Sequence, residues 1–481
     1  MGMAATLFAI YFLVMILVGP WAAKKMNKKD SGDFILAGRA VPTWLVTGGI
    51  VATLINSATL LGYGGSGFSL GISGYFASLG FVVCLMWMGY WFIPRLRRTN
   101  ITTIPELFER FFGWPHRLVS TILVICRDLG VTAGAAIGMA VVFRSVFDIS
   151  LDLALVITLA VTLAFTILGG MWAVMITDTI QAAIILIGTT LLIPLGIAYI
   201  GGWTEFVNLI PATHIDVWNA GESQTIAWII AGALTCLGYQ TLIQRGLSAE
   251  SDEVARKSFR NGGLIAIAWY MVPFLIGTLA VVIFPTISPS EAFISMTSLF
   301  GSIGGLIFSV IIVASCISTL SSTVLTTASN ISLDVYKRLI NPDASEKTTV
   351  LVTRISIVVV AIAGTLIGRS LPYILELLLT GGRIMAASLT PVLLALIFWK
   401  TARKAYISTI LAMIIGAVGT VIGIIIGNQA AGSAGGEVVF VWSLDPIFMG
   451  LPFTLIVLIF GTLIETRMRE NKLLKPEKKI S

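Results

Sequence analysis

Asn56-Ser57-Ala58-Thr59-Leu60-Leu61-Gly62-Tyr63-Gly64-Gly65-Ser66-Gly67 sits inside an otherwise apolar run, 42–70, with Thr47-Gly48-Gly49 upstream of it. A plain lipid-facing helix does not carry such a stretch, because lipid cannot satisfy backbone groups that a break sets free. Close packing of helices through small residues accounts for the glycines. It does not account for the asparagine, the hydroxyls and the tyrosine among them. Five apolar runs later, 225–243 and its edge carry Gly232, Thr235, Cys236, Gly238, Tyr239 and Gln240. Interruptions at matching places in two inverted halves point to the binding site of a secondary transporter. The second to sixth runs and the seventh to eleventh make two sets of five, and an odd number inverts the second set. The expected core is therefore a five-plus-five inverted repeat, 42–201 and 225–398. Residues 1–41 and 399–481 add peripheral helices and a tail to one membrane domain, 1–481.

The rest of the chain agrees. Of 481 residues, 57% are apolar and 11% charged, against roughly 25% charged in soluble chains. A spanning helix needs about 20 mostly apolar residues. Thirteen spans are expected, at 3–23, 42–70, 72–94, 117–146, 151–170, 172–201, 225–243, 263–284, 298–327, 350–369, 372–398, 405–427 and 446–465. The fold class is all-α and polytopic. With the N-terminus outside, twenty-seven of the 31 Lys and Arg fall on one side, Arg144 and Arg369 on the other, and Arg127 and Arg383 within spans. Basic loops stay cytoplasmic, so the C-terminus is expected inside a cell membrane. The net charge of +7 then reflects topology and not nucleic-acid binding. Two histidines, His116 and His214, exclude the clustered ligands of a haem or zinc enzyme. Cys84, Cys126, Cys236 and Cys316 lie in apolar runs and read as buried free thiols.

Two inner loops carry patterns of their own. Residues 103–111 form an amphipathic stretch suited to the interface, and 244–256 reads as a short charged surface helix. In the ninth span, Ser315, Ser318, Ser321 and Ser322 share one helix face, with Thr319 about 100° round from Ser318. A row of hydroxyls suits a hard cation, which prefers oxygen ligands. Asp178 in the sixth span lies about six residues, or roughly 9 Å, from the inner end, close to the depth of Ser321 and Ser322. An intramembrane carboxylate costs on the order of 3 kcal/mol to insert and marks function by default. Hydroxyls that only bond back to their own backbone are the plainer explanation of the row.

These motifs, in order, resemble the sodium:solute symporter family and its leucine-transporter fold. The carriers are Asp33-Phe34-Ile35-Leu36-Ala37-Gly38-Arg39, Gly64-Gly65-Ser66-Gly67-Phe68, Thr103-Ile104-Pro105-Glu106, Gly169-Gly170 through Thr177-Asp178 and Gln181, Gln244-Arg245, Ser318-Thr319 and Ser332-Leu333-Asp334-Val335-Tyr336-Lys337. The resemblance implies sodium as the co-transported ion and a small organic solute as the cargo. It places the shared sodium at the carbonyls of Ala52, Ile55 and Ser315 and the hydroxyls of Ser318 and Thr319. One residue later in register, the span-two carbonyls are those of Thr53 and Asn56. A second sodium, found in some members, maps to Asp178, Ser318, Ser321 and Ser322, and Arg39 matches a loop arginine implicated in coupling. Leu54 stands where some amino-acid-transporting relatives carry aspartate. Thr59 and Ser78 stand where sugar transporters place an amide and a carboxylate. Asn56, Ser57, Thr59, Tyr63, Ser78, Thr235 and Tyr239 then describe a small, mildly polar pocket for a monocarboxylate, an amino acid, pantothenate or a choline-like solute.

Further charges lie in the membrane. Arg127 and Asp128 are adjacent, so each is expected to meet a different neighbour. Glu376 and Arg383 share a face of the eleventh span, and Arg127 or Arg383 is a candidate attractor for an anionic solute. The expected function is alternating-access symport, with 100 mV adding about 2.3 kcal/mol per sodium. A proton-coupled transporter on the same fold is the nearest alternative, and an ion channel a more distant one. No enzyme is expected, for want of a nucleophile–base pair at depth.

Overall fold

The computed structural model describes residues 2–23, 31–370, 374–433 and 445–473. Among them the regular structure is helical, apart from one bridge between Val41 and Ala249. Eight helices are long and apolar enough to cross a membrane, and three bent pairs raise the number to eleven. The two other expected spans, 3–23 and 151–170, appear as shorter apolar stretches, Met3–Met15 and Leu151–Ala164. Lys24, Lys25, Lys28 and Lys29 lie outside the described residues, as do the last tail lysines.

The breaks fall where the sequence weakens the helix. Span two runs Thr43–Leu54 and then Thr59–Leu70, bent by 51°. Ile55 leaves helical geometry and Asn56 adopts an extended one. Asn56 caps the second half: its side chain accepts from the Thr59 amide at 3.0 Å, and the Thr59 hydroxyl accepts from the Asn56 amide at 2.9 Å. This reciprocal cap restarts a helix at low cost. Span seven runs Glu222–Gly238 and Gln240–Ser248, bent by 48° at an extended Tyr239. The fifth and sixth spans join in one helix, Leu151–Ile200, kinked at Gly170. Gly170 has φ +51, a left-handed conformation that favours glycine, and a Cβ there would lie 2.6 Å from the Phe34 carbonyl oxygen.

One expectation fails here. Residues 244–256 are no surface helix: Gln244–Ser248 complete the second half of span seven, all buried, and a new helix, Asp252–Ile283, follows. The apolar run ends at Ile243, but the helix continues with polar side chains because its partners are polar. The cysteines differ too. All four are free, but Cys84 is half-buried and Cys126 exposed, on the outer surface of its span.

Small residues bring the bundle together. A Cβ on Gly277 would lie 2.0 Å from the Gly64 carbonyl oxygen, so spans two and eight touch backbone to backbone. Backbone cannot retreat as a side chain can, and overpacking costs about 1–3 kcal/mol. Gly277→Ala is expected to lower the melting temperature of purified protein. Gly305→Ala, which meets nothing within 4 Å, should leave it unchanged.

The basic end is clamped by ion pairs. Helix Ile104–Phe112 buries Ile104, Leu107, Phe108 and Phe112 against the bundle. Arg117 bonds Glu109 and reaches Asp334 at 2.6 Å, while the Thr103 hydroxyl donates to Asp334 at 2.9 Å. Partial burial pushes the Glu109 carboxyl up, but its bonds with Arg117 and Arg338 outweigh this and hold it below the usual range. Two of the sequence motifs, at Thr103 and at Asp334, are thus halves of one structural contact.

Candidate functional site

The break in span two releases two carbonyls. In an unbroken helix the Ala52 carbonyl would accept from the Asn56 amide, and Ile55 from Thr59. Both amides instead serve the Asn56–Thr59 cap. The neighbouring Leu54 carbonyl is taken, accepting from the Thr59 hydroxyl at 3.0 Å. Thr53 accepts from the Asn56 side chain at 3.2 Å. The Ala52 and Ile55 carbonyls thus lose the amides that an unbroken helix would give them, while those of Thr53 and Leu54 accept from side chains.

Span nine faces this break. Both halves of span two touch it, and Cys316 lies against Ser57. Ser315, Ser318, Thr319, Ser321 and Ser322 are all buried in protein. Ser318 and Thr319 donate to the Ser315 carbonyl at 3.0 and 2.9 Å. The two hydroxyl oxygens therefore sit against one carbonyl, which already accepts from both. Each hydroxyl hydrogen is committed to backbone, which leaves the oxygen lone pairs for a cation.

The carboxylate and the hydroxyl row also meet. Ser322 donates to Asp178 Oδ2 at 2.9 Å. A residue that the sequence reading placed in a loop joins them: Arg245, 1% exposed. Its Nη2 lies 2.6 Å from Asp178 Oδ2 and 2.8 Å from Ser322 Oγ, and its Nε donates to Thr53 Oγ1 at 2.6 Å. One guanidinium thus ties spans two, six and nine to the second half of span seven. Asp178 Oδ1 is buried without a hydrogen-bond partner. Further pairs continue the contact inward: Gln244 with Thr326 at 2.8 Å, Thr241 with Thr326 at 3.4 Å and Gln240 with Asn330 at 2.6 Å. Residues 322, 326 and 330 are one turn apart on this helix, Gly301–Asn330, so the pairs form a polar seam along the second half of span seven.

The expected solute residues are distributed unevenly. Asn56 and Thr59 are occupied with the cap, and Ser78 donates to its own Tyr75 carbonyl at 2.7 Å. Ser57 Oγ is buried without a partner. Tyr63 stacks on Phe274 at 4.9 Å and meets Tyr270 edge-on at 5.4 Å. Thr235 and Tyr239 lie together at the span-seven break, where Gly382 approaches Thr235 and the Arg127 guanidinium carbon lies 3.5 Å from the Tyr239 ring centre. Arg127 and Asp128 pair with each other, against the expectation from their adjacency. The long arginine side chain swings round the helix to reach the carboxylate. Arg383 pairs with Asp445 at 3.1 Å, and the side chain of Glu376 lies outside the described residues. Arg39 has φ +56 and donates to the Ile101 carbonyl at 2.6 Å. Two residues on, Val41 is bonded to the end of span seven, its amide donating to Ser248 at 3.0 Å.

Comparison with known proteins agrees with the fold. A sodium/glucose cotransporter of Vibrio parahaemolyticus is 27% identical over 85% of this chain and 83% of its own. A sodium/proline symporter of Haemophilus influenzae is 27% identical, over 85% and 86% respectively. The solved structure of a sodium-coupled sialic acid symporter superposes with a TM-score of 0.79 at 20% identity, covering 96% of this chain and 97% of that one. The model of one transporter family, whose members couple a solute to sodium, matches residues 34–416. The chain belongs to the sodium:solute symporter family.

Proposed function

We propose that the chain carries a compact organic anion or zwitterion, a monocarboxylate foremost, into the cell with sodium. The observation that supports the reading is the break in span two, whose cap takes the amides that would otherwise serve the Ala52 and Ile55 carbonyls, in contact with the span that carries Ser315, Ser318 and Thr319. Five oxygens from two crossing helices suit a monovalent hard cation. Residues 42–201 and 225–398 act as the inverted repeats, with the basic end cytoplasmic. Sodium bound from outside braces span two against span nine while the polar seam keeps the inner half shut. Inward release requires that seam to part.

The second-sodium set, Asp178, Ser318, Ser321 and Ser322, is shared with Arg245. The arginine holds Oδ2, and a second ion has Oδ1 as its carboxylate ligand. Arg39, stitched near the end of span seven, couples movement of that span to the inner loop. Solute choice follows from what is free. With Asn56, Thr59 and Ser78 internally bonded, few partners remain for a polyhydroxylated sugar, whose unmet hydrogen bonds would be costly. Ser57, Tyr63, Thr235 and Tyr239 suit a small, partly apolar solute, and Arg127 meets a carboxylate only by sharing or exchanging its bond to Asp128.

A panel of radiolabelled solutes (short monocarboxylates, proline, pantothenate, choline, sialic acid and galactose) in proteoliposomes tests the reading. A monocarboxylate or small zwitterion should accumulate under an inward sodium gradient and fail to accumulate in choline at fixed pH. Accumulation of galactose alone, or uptake driven by a pH gradient in choline, contradicts it.

A further inference from the structure

At the basic end, two adjoining cavities of about 260 and 190 Å³ open beside the inner end of span three. Arg95 and Arg98 line both, Arg403 closes the first and Arg256 the second, and no acidic side chain lines either. The nearest carboxylate is Asp252, which bonds Arg97 at 3.0 Å and stands 3.6 Å from Arg98. The Arg95 guanidinium lies 5.4 Å from the Trp91 ring centre and 5.2 Å from that of Phe398. The Arg403 guanidinium lies 5.2 Å from Phe111. Arg403 donates its Nε and Nη2 to the Leu396 and Ile397 carbonyls at 2.7 and 3.1 Å, and Arg95 donates its Nη1 to the Trp91 carbonyl at 2.6 Å. These bonds and the aromatic faces fix both guanidinium planes and leave the remaining N–H groups for an oxyanion.

The position selects the anion. Trp87, Tyr90, Trp91, Phe111, Trp114 and Phe398 are exposed large aromatics around this end, and such side chains gather at the level of lipid headgroups. A phosphodiester is the abundant anion there, and basic pockets between spans on the cytoplasmic side take such headgroups. The exposed Phe111 and half-buried Ile397 line the same cavity and give the glycerol and upper acyl chain an apolar wall. We infer that this groove binds the headgroup of an anionic phospholipid, with Arg95, Arg98 and Arg403 on its phosphate.

Native mass spectrometry of the full chain in detergent, with added phosphatidylglycerol or phosphatidylcholine, tests this. Wild-type protein should retain phosphatidylglycerol at least roughly tenfold better than phosphatidylcholine. Arg95→Gln/Arg98→Gln/Arg403→Gln should lose that preference while still binding radioactive sodium, which shows that it is folded. Arg260→Gln, an exposed arginine outside the groove, should keep the preference. Equal retention of the two lipids, an equal loss in Arg260→Gln, or full displacement by inorganic phosphate overturns the proposal. If the triple variant fails to fold, Arg403→Gln alone with the same lipids decides it: an unchanged preference refutes the groove.

Discussion

Asp178→Ala lowers the thermal stability of the purified protein by more than any single substitution on the lipid-facing surface. Arg245→Ala does the same, and Asp178→Leu/Arg245→Leu loses less than either. The reasoning follows from burial. Both side chains are out of solvent, and the 2.6 Å contact between them joins span six to span seven. Removing one partner from a buried pair leaves an uncompensated charge and costs about 3–5 kcal/mol, whereas replacing both with apolar groups is often neutral. Arg245 also bonds Thr53 and Ser322, so its loss loosens the closure on three sides. Melting curves of the wild type, Asp178→Leu, Arg245→Leu and Asp178→Leu/Arg245→Leu form a double-mutant cycle that isolates the pair. Additive losses would show that the two charges do not stabilise each other.

Ser318→Ala and Thr319→Ala each raise the sodium concentration for half-saturation about tenfold to a hundredfold, and together they abolish saturable binding. A contact to a charged group contributes about 1.5–3 kcal/mol, and each 1.4 kcal/mol is a factor of about ten in affinity. The substitutions are otherwise mild, since both hydroxyls bond only to the Ser315 carbonyl. Thr365→Ala, which removes an equivalent backbone-bonded hydroxyl from span ten, serves as the control. Binding of radioactive sodium to purified protein reads all of these without knowledge of the solute. A sodium response unchanged in both single variants counts against the site.

Much of this architecture was legible because lipid imposes a simple code. Apolar runs mark the spans, and Asn56 with the following glycines marks a break, since no unbroken lipid-facing helix needs them. The meeting of Asp178 with Ser322 followed from depth alone. Arg245 was not legible in the same way. A window that seeks apolar residues stops at Ile243, yet the helix runs to Ser248 because its polar side chains pair with Ser322, Thr326 and Asn330 across the bundle. The periodicity of Thr241, Gln244, Arg245 and Ser248 was the signal available. The solute residues were read least well for a related reason: polarity in a sequence does not say where a side chain bonds. Asn56 and Thr59 cap their own helix, although an asparagine three residues before a threonine at a helix start is itself a capping pattern.

The most direct test is where the ion sits. An experimental structure should be determined in sodium and again in choline, at a resolution that shows bound ions. The account predicts density in sodium alone, in contact with the carbonyls of Ala52, Ile55 and Ser315 and the hydroxyls of Ser318 and Thr319. Identical density in choline, or an ion bound elsewhere with these five oxygens empty, would contradict it.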